Sequence, residues 1–439
     1  MEKIPIVICI DVEPDARVTD PNVAIDWAGF EKTFEFYEQL RPHLQDATQS
    51  LVHFSWFVRM DPQIADTYGS PDWAIARYRR LFDRMEAAGD DIGLHTHAWR
   101  WEPESNEWIA DMGDQEWVDH CVQMAFAAFE QSMNRKCQSF RFGDHWMNDA
   151  TLALVERLGA RFDLTVEPGR KELSIPERYT GSPPDYSQAP QQPYRPSKLN
   201  FTEHDAEQKR ELWAVPLSTC DADQLLKSLT EISNGNGCSY TEKLKVWALS
   251  RRSTADYEGF LDRADYEAIR GWAYDARRPD RPLEIQIYDG QVLLTTVLAD
   301  GLRPDLLLAG KGNGRHSFAL PTPSCLRDGR SRSIRAKAAN GNFELNNSPR
   351  TMTADRLPLF EGGVIHLHPS ADPWLMSRTV NVLLGSLGQR YLALSVRSQE
   401  VLNRWQLANT SENFNYLLSH PLVKNFVIET PAELVARLA

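Results

Sequence analysis

Asp91-Ile92-Gly93-Leu94-His95-Thr96-His97 is the stretch from which the fold is read. A short apolar run ends in two histidines spaced i, i+2. In an extended strand such residues face the same side, so His95 and His97 point together from a strand end, as two ligands of one metal do. Alone, His-x-His is a modest signal that two ordinary polar residues at a strand end also produce. The spacing recurs twice. Near the start, Ile4-Pro5-Ile6-Val7-Ile8-Cys9-Ile10 is a continuous apolar run, which suits a strand buried on both faces of a parallel sheet. It ends in Asp11-Val12-Glu13-Pro14. Far downstream, Val364-Ile365-His366-Leu367-His368-Pro369 ends in the same way, again stopped by proline.

Between these doublets, strand and helix patterns alternate. A run over 51–58 leads into Arg59 and Asp61, and His53 within it reads as a core histidine. Helical periodicity covers 27–44, 71–88 (with Gly89 as a C-cap), 115–133 and 148–158. Further strand character lies at 138–142, 160–166 and 213–217, and helical character at 221–229. The alternation predicts an α/β fold with parallel strands, and in such folds ligands gather at the strand C-termini. Arg59, Asp61, Trp99, Asp144, His145 and His366 sit at or near those ends and are read as substrate-binding. Trp99, Trp101 and Trp108 form either a sugar-stacking wall or a loop packed down on the rim. Residues 176–198, rich in Pro, Tyr, Ser and Gln, form a long loop without periodicity.

At about residue 252 the texture changes. Short strands replace helical periodicity, separated by Asp289-Gly290, Asn313-Gly314, Asp328-Gly329 and Asn340-Gly341. Such spacing over about 100 residues predicts an all-β sandwich. The expected organisation is 1–252 as the first part of the α/β domain, 253–352 as the inserted sandwich and 353–439 as the last part. Helical patterns at 374–385, 398–407 and 430–438, with a strand at 425–428, complete it.

The chain has 439 residues, enough for two or three domains. A net charge of -13 argues against a general nucleic-acid or anionic-membrane binder. No stretch approaches the roughly 20 apolar residues of a membrane span, and no signal-peptide pattern precedes the first strand. A cytoplasmic protein is expected. Its six scattered cysteines, Cys9, Cys121, Cys137, Cys220, Cys238 and Cys325, lack any CxxC pair and read as buried, reduced thiols. A homo-oligomer is compatible with the composition.

Taken as one site, the doublets supply a carboxylate and two imidazoles, a usual catalytic set for Zn²⁺ with a position left for water; Co²⁺, Mn²⁺ or Ni²⁺ can substitute. Glu13, His95 and His97 as ligands, Asp11 as general base and His368 as acid fill each role once. Arg141 could reach Asp11 in a charge-assisted bond.

Asp11-Val12-Glu13, Gly93-Leu94-His95-Thr96-His97, Phe140-Arg141-Phe142-Gly143 and Ile365-His366-Leu367-His368-Pro369 follow the order of the motifs of the polysaccharide deacetylase superfamily, which the chain resembles over roughly 1–250 and 353–439. That superfamily includes the chitooligosaccharide deacetylases and carbohydrate esterase family four. The resemblance implies a distorted (β/α)7 barrel and metal-dependent removal of acetyl groups from an N-acetylated carbohydrate. It also implies Asp11 as base, Glu13 as metal ligand, Arg141 as the orienting arginine and a late histidine as acid. His366 and His368 compete for that last role, and His368 is preferred because the family histidine precedes proline in many members. This chain departs from the common pattern in carrying Glu13 where aspartate is usual. Its histidines are also spaced by one residue rather than three. The superfamily also holds hydrolases of non-sugar cyclic amides and inactive members, so a cyclic amidase and a catalytically silent glycan-binding protein are the alternatives. The β segment resembles a Gly-Trp-Ala sandwich module of bacterial surface-glycan proteins (Gly259-Phe260-Leu261-Asp262 through Gly271-Trp272-Ala273).

Overall fold

A computed structural model of the protein describes residues 3–16, 26–171, 179–182, 184–205, 207–221, 224–225, 256–265, 268–322, 326, 330–339, 343–353 and 364–438. The chain separates into two compact units, Met1–Leu225 with Gly362–Ala439, and Leu226–Glu361.

The first unit is α/β. A strand that is apolar at successive positions has two faces to cover, and the interior of a parallel sheet covers both. Ile4–Val12 is that strand, buried from Pro5 onward. It pairs in parallel with Ser55–Arg59 on one side and Leu392–Arg397 on the other, and Phe426–Ile428 lies against its first residues. The sheet runs in the order Leu392–Arg397, Ile4–Val12, Ser55–Arg59, Asp91–Thr96, Ser139–Phe142, Phe162–Asp163, Trp213–Ala214, all parallel. Just past its last strand, the Ser218 N–H donates to the Ala393 carbonyl at 3.1 Å, and Ser218 Oγ accepts from the Ala393 N–H at 2.9 Å. The sheet therefore curls until its two ends meet. Val7, Phe57, Leu164, Leu217 and Ala393 fill the inside of the curl. Burying a side chain such as Phe57 or Leu164 stabilises the fold by about 1.5–3 kcal/mol.

Several elements differ from expectation, each for a local reason. The second strand begins only at Ser55, because Leu51 is 72% exposed and Val52 makes a single bridge, to Ile428. The helix expected over 71–88 is two helices, Trp73–Arg77 and Arg79–Ala88. They part at Tyr78, whose φ of -112° and ψ of 26° lie outside the helix and whose ring packs edge-on against Phe30 at 5.3 Å. Gly89 ends the second helix at φ 82°, as its C-cap reading requires. Trp99–Glu102 and Glu107–Asp111 form an antiparallel hairpin, with Trp99 and Trp108 buried. Of the two readings of the tryptophan loop, the packed-down one describes these two residues. Val364–His366 stands outside the parallel sheet and pairs antiparallel with Thr219–Asp221. Leu367 then stitches it to the sheet end, donating to Ser218 O at 3.0 Å and accepting from the Ser395 N–H at 3.2 Å.

The second unit contains two four-stranded antiparallel sheets. One runs Tyr257–Ala264, Ala268–Asp275, Arg315–Pro321, Gly301–Leu302; the other runs Val292–Ala299, Leu283–Asp289, Ser331–Ala338, Arg350–Thr353. Alternate residues of these strands, among them Leu261, Ile269, Ala273, Ile285, Ile287 and Ile334, are fully buried, which is the period-two pattern of a sheet with one covered face. Gly290, at φ 57°, turns the hairpin expected at Asp289-Gly290.

The strand-like run Val246-Trp247-Ala248, most of the helix expected over 221–229, the turns at Asp328-Gly329 and Asn340-Gly341, and Cys238 and Cys325 lie outside the described residues. Cys9, Cys121, Cys137 and Cys220 are buried free thiols. Among the described residues no helix is long and apolar enough to cross a membrane. Replacing residues 253–351 by a short linker is expected to leave a first unit that melts in one cooperative transition by calorimetry. A broad, non-cooperative melt would show that the two units depend on each other for folding.

Candidate metal centre

Parallel register sets three polar residues in one row at the C-terminal ends of neighbouring strands: Arg59 opposite His95, and His95 opposite Arg141. Asp11 lies opposite Arg397 on the next strand over. Glu13 follows two residues after Asp11, and its backbone is held by Ser398, whose hydroxyl accepts from the Glu13 N–H at 3.0 Å and donates to its carbonyl at 3.2 Å. Asp11, Glu13, His95 and His97 are all buried.

Glu13, His95 and His97 form a group able to hold a metal ion, with one ligand atom of each within 4.8 Å of the others. His95 Nε2 and His97 Nε2 are 3.0 Å apart. Glu13 Oε2 is 3.4 Å from His97 Nε2, and Oε1 is 3.8 Å from His95 Nε2. Ligands 2.0–2.2 Å from a tetrahedral zinc stand ~3.3 Å from one another, so the three atoms have close to the spacing of a coordination shell. The His95 tautomer agrees with this. His95 Nδ1 is 3.1 Å from the Arg141 carbonyl, which only accepts, so the proton is on Nδ1 and the Nε2 lone pair is free. His97 Nδ1 is 3.2 Å from Asp144 Oδ2 and 3.1 Å from the Trp99 indole N–H. These two contacts demand opposite tautomers. The carboxylate contact is the one compatible with His97 Nε2 as a ligand.

Burial raises the Glu13 carboxyl, but the hydrogen bond with His97 and the charges of His95, His97 and Arg59 outweigh it and bring the group well below its ordinary range. Burial, and then Arg59, push the His97 imidazole well below its ordinary value. A charged carboxylate beside neutral imidazole is the protonation pattern that a divalent cation binds.

Arg141 holds Asp11 by Nε, at 2.9 Å from Oδ1 and 3.2 Å from Oδ2, and is itself anchored to the Leu164 carbonyl and Ser395 Oγ at 2.7 and 2.9 Å. Asp11 Oδ1 lies 3.9 Å from His95 Nδ1, which puts the carboxylate beside the metal group. Arg59 and Asp61, read from the sequence as substrate-binding, face Glu13 and His97. Arg59 is fully buried, 2.7 Å from Asp61 by Nε, 3.5 Å from Glu13 Oε2 by Nη1, and bonded to Gln63. Asp61 also accepts from the His97 N–H at 3.3 Å and caps the helix Pro62–Tyr68 through the Ile64 N–H. Trp99 is packed against His97 and Tyr179, so it presents no open stacking face. Asp144 likewise turns inward, to His97.

The turn at Gly143 makes this possible. A Cβ on Gly143 would stand 2.3 Å from the His97 ring, so only glycine lets the ring sit there. Asp144 and His145 follow at φ 55° and 52°, a left-handed pair that side chains rarely adopt. The strain aims Asp144 at His97 and His145 at Glu167, with His145 Nδ1 3.4 Å from Glu167 Oε1.

His366 and His368 lie side by side, ring centroids 5.9 Å apart, and both feel the charge of Arg141. His366 Nδ1 is 3.2 Å from Glu167 Oε1, and its side chain is 31% exposed. His368 Nδ1 is 3.0 Å from Ser370 Oγ and its Nε2 is 3.3 Å from Glu400 Oε1. Burial raises the Glu400 carboxyl to about 7, and burial pushes His368 well below its ordinary value. Below about pH 7 the two therefore pair as neutral groups. Sequence reading passed over Glu167 and Glu400. Glu167-Pro168 repeats the carboxylate-then-proline ending of Glu13-Pro14 and could have been found; Glu400, on the 3-10 turn Ser398–Leu402, had no such signal.

No protein-family profile and no curated protein sequence matches the chain. Several similar solved structures are polysaccharide deacetylases. A protein described as one, from Mycobacterium smegmatis, is similar over 99% of this chain and 90% of its own, at 11% identity and a TM-score of 0.38. Another, from Bordetella bronchiseptica and described as involved in O-antigen biosynthesis, is similar over 48% of this chain and 57% of its own, at 15% identity and a TM-score of 0.23. A pseudoenzyme of carbohydrate esterase family four from Bacillus anthracis is similar over 36% of this chain and 42% of its own, at 12% identity and a TM-score of 0.22.

Gly143→Ala is expected to displace the His97 ring and weaken zinc binding about 10–100-fold, the usual cost of disturbing a ligand's support, measured by competition with a chelator. Glu400 tests the neutral pair. A carboxyl whose pKa is raised on folding contributes stability below its unfolded value, and that contribution is lost as pH rises through the folded value. The melting temperature of the wild type relative to Glu400→Gln should therefore fall between pH 4.5 and about 7. A difference flat across that window would contradict the raised value.

Proposed function

We propose that the protein is a metal-dependent hydrolase that removes the acetyl group from an N-acetylated sugar, built on a distorted (β/α)7 barrel of the polysaccharide deacetylase type. The observation that carries this is the convergence of Glu13, His95 and His97, buried at strand ends with the spacing of a coordination shell, beside an Asp11 held by Arg141. Two imidazoles and a carboxylate suit Zn²⁺ best, and Co²⁺, Mn²⁺ or Ni²⁺ fit the same donors.

The protein's own groups then have distinct tasks. A divalent cation held by Glu13, His95 and His97 supplies Lewis acidity toward water and the acetamide carbonyl. Asp11, oriented by Arg141, takes the proton of the attacking water. A histidine of the His366/His368 doublet protonates the departing nitrogen. Arg59 and Asp61 fix the Glu13 carboxylate and the His97 backbone from below. The segment 253–352 is read as an inserted sandwich module between barrel parts 1–252 and 353–439. Buried free thiols support a reducing, cytoplasmic setting. There the substrate would be a nucleotide- or lipid-linked precursor of a surface polysaccharide.

His95→Ala is expected to abolish metal binding and turnover together, by elemental analysis and acetate release. Asp11→Asn should keep the metal and lose about 10²–10⁴-fold in kcat. Full activity in Asp11→Asn would remove Asp11 as the base, and a metal-loaded wild type that releases no acetate would leave a glycan-binding protein as the better reading.

A further inference from the structure

Among the described residues four arginines bear on the histidines and carboxylates of the site, and three of them are paired. Arg59 holds Asp61 at 2.7 Å, Arg141 holds Asp11 at 2.9 Å and Arg170 holds Glu167 at 2.7 Å. Arg397 is the exception. It closes the strand Leu392–Arg397, opposite Asp11 in the parallel register, and it is the exposed residue of a strand otherwise buried. Its guanidinium donates to no carboxylate, carbonyl or hydroxyl among the described residues.

Two acids stand near enough along the strand ends to have taken it. Asp11 is held by Arg141 instead. Glu400 turns Oε1 to His368 Nε2 at 3.3 Å, and its Oε2 accepts from the Arg397 backbone N–H at 3.4 Å. Burial raises that carboxyl to about 7, so below neutral pH it is no counter-charge. A chain with 61 acidic residues against 48 basic ones has no shortage of acids to pair an arginine. This one is left open.

The open charge acts on the site. It opposes protonation of His145, His366 and His368 together, so the guanidinium stands within electrostatic reach of all three rings. Neighbouring strands lie ~4.8 Å apart, which puts the Arg397 backbone one strand spacing from Asp11, itself beside the metal group. That reach covers the sugar carrying the acetamide, not a distant unit of a polymer. A guanidinium offers a planar fork of donors that matches two oxygens of a phosphate or a carboxylate. Bound there, such an anion would supply the partner that the fold withholds.

We propose that Arg397 is a specificity residue that selects an anionic substrate: an N-acetylated sugar with a phosphate or carboxylate on a carbon next to the acetamido carbon. The assignment rests on the deacetylase reading. Neutral sugars are then the poorer substrates.

The test uses the full zinc-loaded chain and three probes: N-acetylglucosamine, N-acetylglucosamine 1-phosphate and N-acetylmuramic acid. Acetate release is expected to favour one of the two anions over the neutral sugar by about 10–100-fold in kcat/KM, chiefly through KM. Preference for the 1-phosphate identifies a phosphate-linked substrate, and preference for muramic acid a sugar acid. Arg397→Gln should bring the ratio of anion to neutral sugar close to one, and Arg397→Lys, which keeps the charge without the fork, should restore part of it. Calorimetric titration of the metal-free chain with each anion gives a readout free of turnover, an affinity that Arg397→Gln lowers about ten-fold or more. Equal kcat/KM for all three probes, or an anion preference or affinity that survives Arg397→Gln, overturns the assignment. Zinc-loaded wild type that releases no acetate from any probe contradicts the deacetylase reading, and the titration then still decides whether Arg397 holds an anion.

Discussion

Two imidazole nitrogens facing each other at 3.0 Å, with a carboxylate at 3.4 Å, is the contact on which the rest of the first unit depends. His95 carries its proton on the far nitrogen, so its near lone pair points at His97. With the His97 proton on Nε2, the contact is a hydrogen bond to that lone pair; with the proton on Nδ1, toward Asp144, two lone pairs face each other and a cation between them would turn their repulsion into coordination. The surrounding polar groups are arranged to preserve this geometry. The Arg141 carbonyl and Asp144 set the rings, Arg59 and Asp61 hold Glu13 and the His97 backbone, and Gly143 clears the space in which His97 sits.

The scaffold explains why those groups meet. Strands buried on both faces leave polar side chains only at their ends, and the parallel register lines up Arg59, His95 and Arg141 there. The second histidine doublet arrives differently, on an antiparallel pair with Thr219–Asp221 hung from the sheet end through Leu367. That places His366 and His368 on a separate support from the metal group.

Much of this was legible in the residues. The run Ile4–Ile10 suits an interior strand, and the i, i+2 rule puts His95 with His97 and Asp11 with Glu13. In 253–352, the loss of helical periodicity and turn signals such as Asp289-Gly290 marked short strands, and Ile285, Ile287 and Ile334 on them are buried. What was not legible was direction. A strand-end position does not say whether a side chain reaches outward or folds back, so Arg59, Asp61, Trp99 and Asp144 were read as facing substrate, and the structure packs them against Glu13 and His97. The break at Tyr78 follows from its ring packing on Phe30, a tertiary contact that helical periodicity does not encode. Glu400 comes from a turn with no pattern, and its partnership with His368 exists only in the folded chain.

The central claim is that Glu13, His95 and His97 coordinate one cation. X-ray absorption at the zinc edge of the loaded protein tests it most directly. The account predicts a first shell of two imidazole nitrogens and one carboxylate oxygen at about 2.0–2.2 Å, with the scattering of one imidazole lost in His97→Ala. A first shell without imidazole scattering, or one unchanged by His97→Ala, would contradict it.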